Sequence, residues 1–103
     1  MKTIEQIRVD LQSGDFEMSA HAFQRALARN ISLKEMQEAG ENVVIIEDYP
    51  NDKYSPSCLI LGFTSTSRPL HIQVSRRLGT LKVITLYQPN SDEWSDNYSR
   101  RNL

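Results

Sequence analysis

The sequence predicts an α+β domain in which N-terminal helices pack on a four-stranded antiparallel sheet, followed by a short C-terminal helix or tail. Up to Gly40 the chain shows helix caps followed by apolar residues at helical spacing, and beyond it short runs rich in β-branched and aromatic residues. No helical segment separates those runs, so nothing can carry a crossover between parallel strands, and antiparallel pairing is expected. At 103 residues the chain suits one hydrophobic core, so residues 1–103 are expected to form a single domain.

The helix ends are well signalled. Thr3 and Gln6 have the spacing of a capping box, Ile4, Ile7 and Leu11 lie along one helical face, and Gly14 is placed to end the first helix. Ser19 caps the second, which is expected to run to about Asn30, with Met18 and Phe23 spaced as a hydrophobic staple. Ser32 and Glu35 form another capping box, opening a short third helix that Gly40 should close. Val43 to Tyr49, Cys58 to Thr64, Leu70 to Ser75 and Leu81 to Tyr87 read as the four strands, with a proline-bounded loop between the first two. Pro89 to Leu103 reads as a turn and a short helix around Trp94 and Tyr98, with Trp94 as a packing anchor.

Composition narrows the chemistry. A lone cysteine, Cys58, cannot form an intrachain disulfide, and with two histidines it is too little for a structural zinc site, so neither a metal nor another cofactor is expected. Cys58 reads as a small buried residue rather than a nucleophile. The first residues are polar and acidic where a signal peptide would be apolar, and no run approaches the roughly 18 apolar residues of a membrane span. A cytoplasmic protein without membrane contact is the expectation.

Net charge is only −1, but the charges are segregated. Residues 1–52 hold five basic and ten acidic side chains, whereas 53–91 hold five basic ones (Lys53, Arg68, Arg76, Arg77, Lys82) and no acidic one. The second half should therefore carry a positive field, suited to RNA or to an acidic protein. A homodimer that sets the acidic helical half of one copy against the basic sheet of another is a further expectation, the oligomeric state being open.

Two groups of residues stand out. On the second helix His21, Arg25 and Arg29 fall within one 80° arc at about 100° per residue, with Phe23, Ala26 and Leu27 opposite as the expected core face. The plain alternative is a solvated polar face. In the third strand Leu70, Ile72 and Val74 point one way and His71, Gln73 and Ser75 the other. Matching Ile72 with Ile84 across the hairpin puts His71 beside Thr85, while slipping by two places it beside Val83 or Tyr87. The plain alternative for His71 is a satisfied sheet histidine. Arg68, fixed by Pro69, could aim along the sheet or be an ordinary turn charge.

Read in order, His21-x-x-x-Arg25-x-x-x-Arg29-x-Ile31-Ser32, Arg68-Pro-Leu-His71-Ile-x-Val74 and Ile84-Thr85-x-Tyr87, then Trp94 and the terminal arginines, resemble the bacterial domain-of-unknown-function family DUF4258. That family is similar to the small RelE-like toxin ribonucleases of toxin–antitoxin pairs, whose helices pack on a four-stranded antiparallel sheet. The resemblance implies metal-independent RNA cleavage by the substrate's own 2′-hydroxyl. It implies His21 and His71 as the acid–base pair, Arg25 and Arg29 as phosphate clamps, and Thr85 and Tyr87 as supporting hydroxyls. Arg68, Arg76, Arg77 and Lys82 are the expected RNA-binding cations, and an acidic antitoxin-like protein is the expected partner. Such roles suit the residue types, since imidazole titrates near neutrality and the guanidinium fork matches a phosphate. The competing expectation is a non-catalytic RNA- or protein-binding module.

Overall fold

The computed structural model describes residues 1–103. In chain order, helix α1 spans Ile4–Ser13, strand β1 Phe16–Met18, α2 Ala20–Ala28 and α3 Leu33–Gly40. Strands β2 (Val44–Tyr49), β3 (Ser57–Phe63), β4 (Pro69–Ser75) and β5 (Leu81–Tyr87) follow, and the tail forms β6 (Trp94–Ser95) and β7 (Arg100–Arg101). No helix is long and apolar enough to cross a membrane.

The three helices begin where the caps put them. Thr3 and Gln6, and Ser32 and Glu35, form reciprocal capping boxes, and the Ser19 hydroxyl accepts from the Ala22 amide at 3.0 Å. Gly14, at φ 76°, closes α1. Gly40 has a different task, because α3 ends on Glu41 in a right-handed conformation. A Cβ at Gly40 would stand 2.7 Å from Leu11 Cβ, and one at Gly62 of β3 2.6 Å from the Ala39 carbonyl oxygen. These two glycines let α3 sit tightly between α1 and the sheet.

The sheet has five strands in the order β1-β5-β4-β3-β2, not four, and it is mixed. β2 to β5 pair antiparallel as expected, but β1 runs parallel to β5, with Phe16 opposite Leu81 and Met18 opposite Val83. The chain between β1 and β5, comprising α2, α3 and three strands, supplies the crossover that neighbouring runs lacked. The tail is a two-stranded hairpin rather than a short helix, with Trp94 opposite Arg101.

A cluster of 16 buried residues joins α1, α2 and α3 to one face of the sheet. Leu81, Val83 and Leu86 all belong to it, although simple alternation would put Leu86 on the other face. A bulge resolves the conflict: Gln73 pairs with Thr85 and Val74 with Val83, leaving Ile84 between them. The result places His71 opposite Tyr87, one of the slipped registers, and Ile72 opposite Leu86 rather than Ile84.

Candidate functional site

Of the residues singled out in the sequence, Arg29, Arg68, His71 and Tyr87 lie at one end of the sheet, where α2 ends beside the β5 edge, whereas Arg76, Arg77 and Lys82 lie toward the other end of β4 and β5. β1 covers only the first half of that edge. Beyond it Ser19 takes over, its amide donating to the Val83 carbonyl and its hydroxyl to the Ile84 carbonyl. Arg29 completes the edge by donating from Nη1 to the Leu86 carbonyl at 2.8 Å. A Schellman closure fixes that position: Asn30 is left-handed at φ 55°, and the Ile31 amide returns to the Ala26 carbonyl at 2.9 Å.

The helix faces differ from the expected ones. Ala22 and Ala26 are buried, whereas Phe23 and Leu27 are 55% and 67% exposed. Small residues let α2 approach the sheet closely, so the buried face centres between Ala22 and Ala26. His21, Arg25 and Arg29 all remain exposed, but Arg29 stands beside the β5 edge and reaches its backbone, while His21 and Arg25 face only solvent and each other, with Arg25 Nε 3.5 Å from His21 Nε2.

His71 is fully buried. Its Nε2 lies 2.8 Å from the Tyr98 carbonyl and its Nδ1 3.2 Å from the Tyr87 hydroxyl. A carbonyl only accepts, so Nε2 carries the proton and Nδ1 accepts from Tyr87. Trp94 stands edge-on to the imidazole at 4.3 Å, and burial pushes the His71 pKa below its ordinary value. Burial likewise raises the Tyr87 phenol, keeping it protonated. The Arg29 guanidinium lies 6.0 Å from the Tyr87 ring centre, and Arg29, Tyr87, Gln88, Arg68 and Glu93 line one open depression.

The structure thus brings together Arg29, Tyr87 and His71, with Thr85 two residues before Tyr87 on β5. It does not pair His21 with His71. His21 lies about 12 Å up α2 from Arg29 by helix rise, and His71 is sealed beneath the tail. Arg25 borders His21 rather than the sheet residues. Among the expected RNA-binding cations, Arg68 is consumed by structure. It donates to the Asn30 carbonyl at 2.9 Å, the Arg29 carbonyl at 3.0 Å and the Gln88 side chain at 2.7 Å, and pairs with Glu35 at 3.0 Å. Arg76 is also committed, donating twice to the Lys2 carbonyl and pairing with Asp48 at 3.3 Å. Arg77 and Lys82 are exposed and make no ion pair.

Several contributors escaped the sequence reading. Glu93 and the Tyr98 carbonyl come from a tail whose path over the sheet has no local signature. Tail residues Asp96, Asn97 and Tyr98 are consecutively left-handed, at φ 52°, 56° and 69°. Arg101 stacks 4.6 Å from the centre of the Trp94 ring and pairs with Glu47 at 3.1 Å, holding the tail down. The Arg101 hydrogen bond is the first cause of a lowered Glu47 pKa. Cys58 is fully buried, as expected of a small core residue, and burial lifts its thiol to about 11.

Residues 18–88 match the family model described as a domain of unknown function, DUF4258. The chain belongs to that family. No curated protein and no solved structure matches it. The family region runs from the last residue of β1 through α2 to the end of β5, so it contains Arg29, His71 and Tyr87, while the tail that seals His71 lies beyond it.

Proposed function

We propose that this DUF4258 domain is a metal-independent endoribonuclease-type domain, of the kind that serves as the toxin of a toxin–antitoxin pair. The observation that carries the reading is the contiguous line from Arg29 through Tyr87 to His71, beside an open depression. It combines a guanidinium free of any carboxylate partner with a hydroxyl whose proton already points at an imidazole.

In this reading RNA supplies the nucleophile. Its 2′-hydroxyl attacks the adjacent phosphorus, the bond from phosphorus to the 5′-oxygen breaks, and the products carry a 2′,3′-cyclic phosphate and a 5′-hydroxyl. Tyr87 takes the 2′-proton while passing its own to His71 Nδ1, so the buried histidine acts through the phenol rather than by touching RNA. The leaving 5′-oxygen takes its proton from water at the open rim, and the hydroxide so formed takes back the proton held on His71 through the Tyr87 hydroxyl, which restores both groups. Arg29 keeps donors beyond the one given to Leu86 and stabilises charge building on the phosphate oxygens. Arg25 and His21 extend the strip along α2 toward neighbouring phosphates. Arg25, Arg77 and Lys82 also suit an acidic antitoxin-like partner.

The test is cleavage of a labelled structured RNA in excess EDTA by wild type, Tyr87→Phe and Arg29→Ala. Cleavage by wild type and a loss of about 100-fold or more in each variant supports the reading. The burial of His71 with both ring nitrogens engaged favours a second reading, a non-catalytic RNA- or protein-binding module. RNA retained on a gel without cleavage selects that module.

A further inference from the structure

The tail covers only one end of the sheet face opposite the helices. Further along β4, about 7 Å from His71 by the rise of two strand residues, Gln73 and then Ser75 face an open groove of about 490 Å³. Lys82 and Ile84 of β5 form one wall, and the loop carrying Asp52 and Tyr54 forms the other. The volume lies within the range of about 300 to 1,000 Å³ usual for ligand sites.

Its lining is ordered by chemistry. Asp52 is tied into the floor: Oδ2 accepts from Ser57 Oγ at 2.6 Å and from Gln73 Nε2 at 3.5 Å, which leaves Oδ1 without a protein donor. Lys82 and Arg77 lie at the rim without a carboxylate partner, although their neighbour Arg76 has one. Tyr54 is 88% exposed, with the Lys53 ammonium 5.5 Å from its ring centre. An exposed aromatic ring beside unpaired cations is the usual means of holding an unpaired nucleotide, by stacking the base and neutralising the backbone. The acceptor inside the groove decides between ligands. A carboxylate repels phosphates and acidic peptides, yet it accepts from a base amino group such as cytosine N4. Cations outside and an acceptor inside match a strand with its backbone at the rim and a base turned inward.

We propose that this groove holds single-stranded RNA, with one unpaired amino-bearing base stacked on Tyr54 and hydrogen-bonded to Asp52, and with phosphates on Arg77 and Lys82. The inference rests on the reading that the domain acts on RNA, and it specifies how the strand approaches Tyr87.

Fluorescence anisotropy on the full chain at low salt tests it, using labelled 2′-O-methyl dodecamers of cytidine or uridine, which a 2′-hydroxyl mechanism cannot cut, and a duplex RNA. The cytidine strand should bind more tightly than the uridine strand and the duplex. Tyr54→Ala should weaken it at least about 5-fold, the low end for stacking. Arg77→Ala with Lys82→Ala should reduce the slope of log affinity against log salt by about 1.4, about 0.7 per lost phosphate contact. Asp52→Ala should erase the preference for cytidine. Wild-type binding that is unchanged in the Tyr54 variant and the double variant overturns the groove while leaving the RNA reading standing, and so does equal binding of duplex and single strand. Binding of polyglutamate but of no RNA, or of neither, overturns both.

Discussion

Trp94→Ala tests whether the tail governs His71. Trp94 is 4% exposed and stands edge-on to the imidazole at 4.3 Å, and its other side carries the Arg101 guanidinium at 4.6 Å. Truncating a buried tryptophan costs about 3 to 5 kcal/mol in a closed core. Here the loss is capped by the free energy with which the hairpin of β6 and β7 docks, because once it detaches no further contact remains to lose. Against a typical domain stability of about 5 to 15 kcal/mol, the variant should stay folded with its tail released. His71 then regains water. Its pKa in the wild type lies below the ordinary value, first because of burial, so release should move it upward toward about 6.5, and each unit of that movement equals about 1.36 kcal/mol. Imidazole proton shifts of His71 followed by NMR against pH report this directly. The same sign governs stability. A depressed histidine pKa contributes stability that is present above about pH 6.5 and lost as pH falls through the folded-state value, so urea midpoints should drop on acidification in wild type and less steeply in Trp94→Ala. An unchanged His71 titration in the variant would refute the claim that the tail controls this histidine.

Further outcomes follow from the same geometry. Gly62→Ala should destabilise the fold by about 1 to 3 kcal/mol in urea titration, because the added carbon meets the Ala39 carbonyl oxygen at 2.6 Å and Val43 Cγ1 at 2.7 Å. Arg68→Ala should cost about 2 kcal/mol by the same measurement, since it removes charge-assisted bonds to the Asn30 and Arg29 carbonyls and to Glu35. Cys58 should resist a thiol reagent in the native protein at neutral pH and react on unfolding, because its thiol is buried and raised to about 11.

Local signals made the helices legible. The capping boxes at Thr3 and Ser32 and the cap at Ser19 depend on residues three apart, and all three helices start where those caps put them. The antiparallel run from β2 to β5 was legible from composition alone. β1 was not: three residues between a helix end and a helix cap carry no periodicity, and its partner β5 lies more than sixty residues on. The outward turn of Phe23 and Leu27 was hidden for a related reason. Hydropathy marks them as core, but the close approach of α2 to β5 selects Ala22 and Ala26 instead. The bulge at Ile84 could be inferred only by noticing that Leu81, Val83 and Leu86 cannot share a face in a regular strand.

The site was half legible. Side-chain alternation put His71 on the face away from the helices, and one of the slipped registers put it beside Tyr87. What sequence could not supply was the tail crossing that face, which turns an exposed-looking histidine into a buried one bonded to the Tyr98 carbonyl. Charge segregation marked residues 53–91 as basic but could not separate structural cations from free ones. Arg68 and Arg76 anchor backbone carbonyls and carboxylates, while Arg77 and Lys82 stay in solvent.

Metal-independent RNA cleavage by the substrate's own 2′-hydroxyl, as proposed, leaves chemically distinct ends. End-group analysis of RNA incubated with the purified protein in excess EDTA reads those ends. Fragments ending in 2′,3′-cyclic phosphate and 5′-hydroxyl are expected from the wild type, and no fragments from the Tyr87→Phe protein. Intact RNA, or fragments bearing 3′-hydroxyl and 5′-phosphate ends, would contradict the proposal.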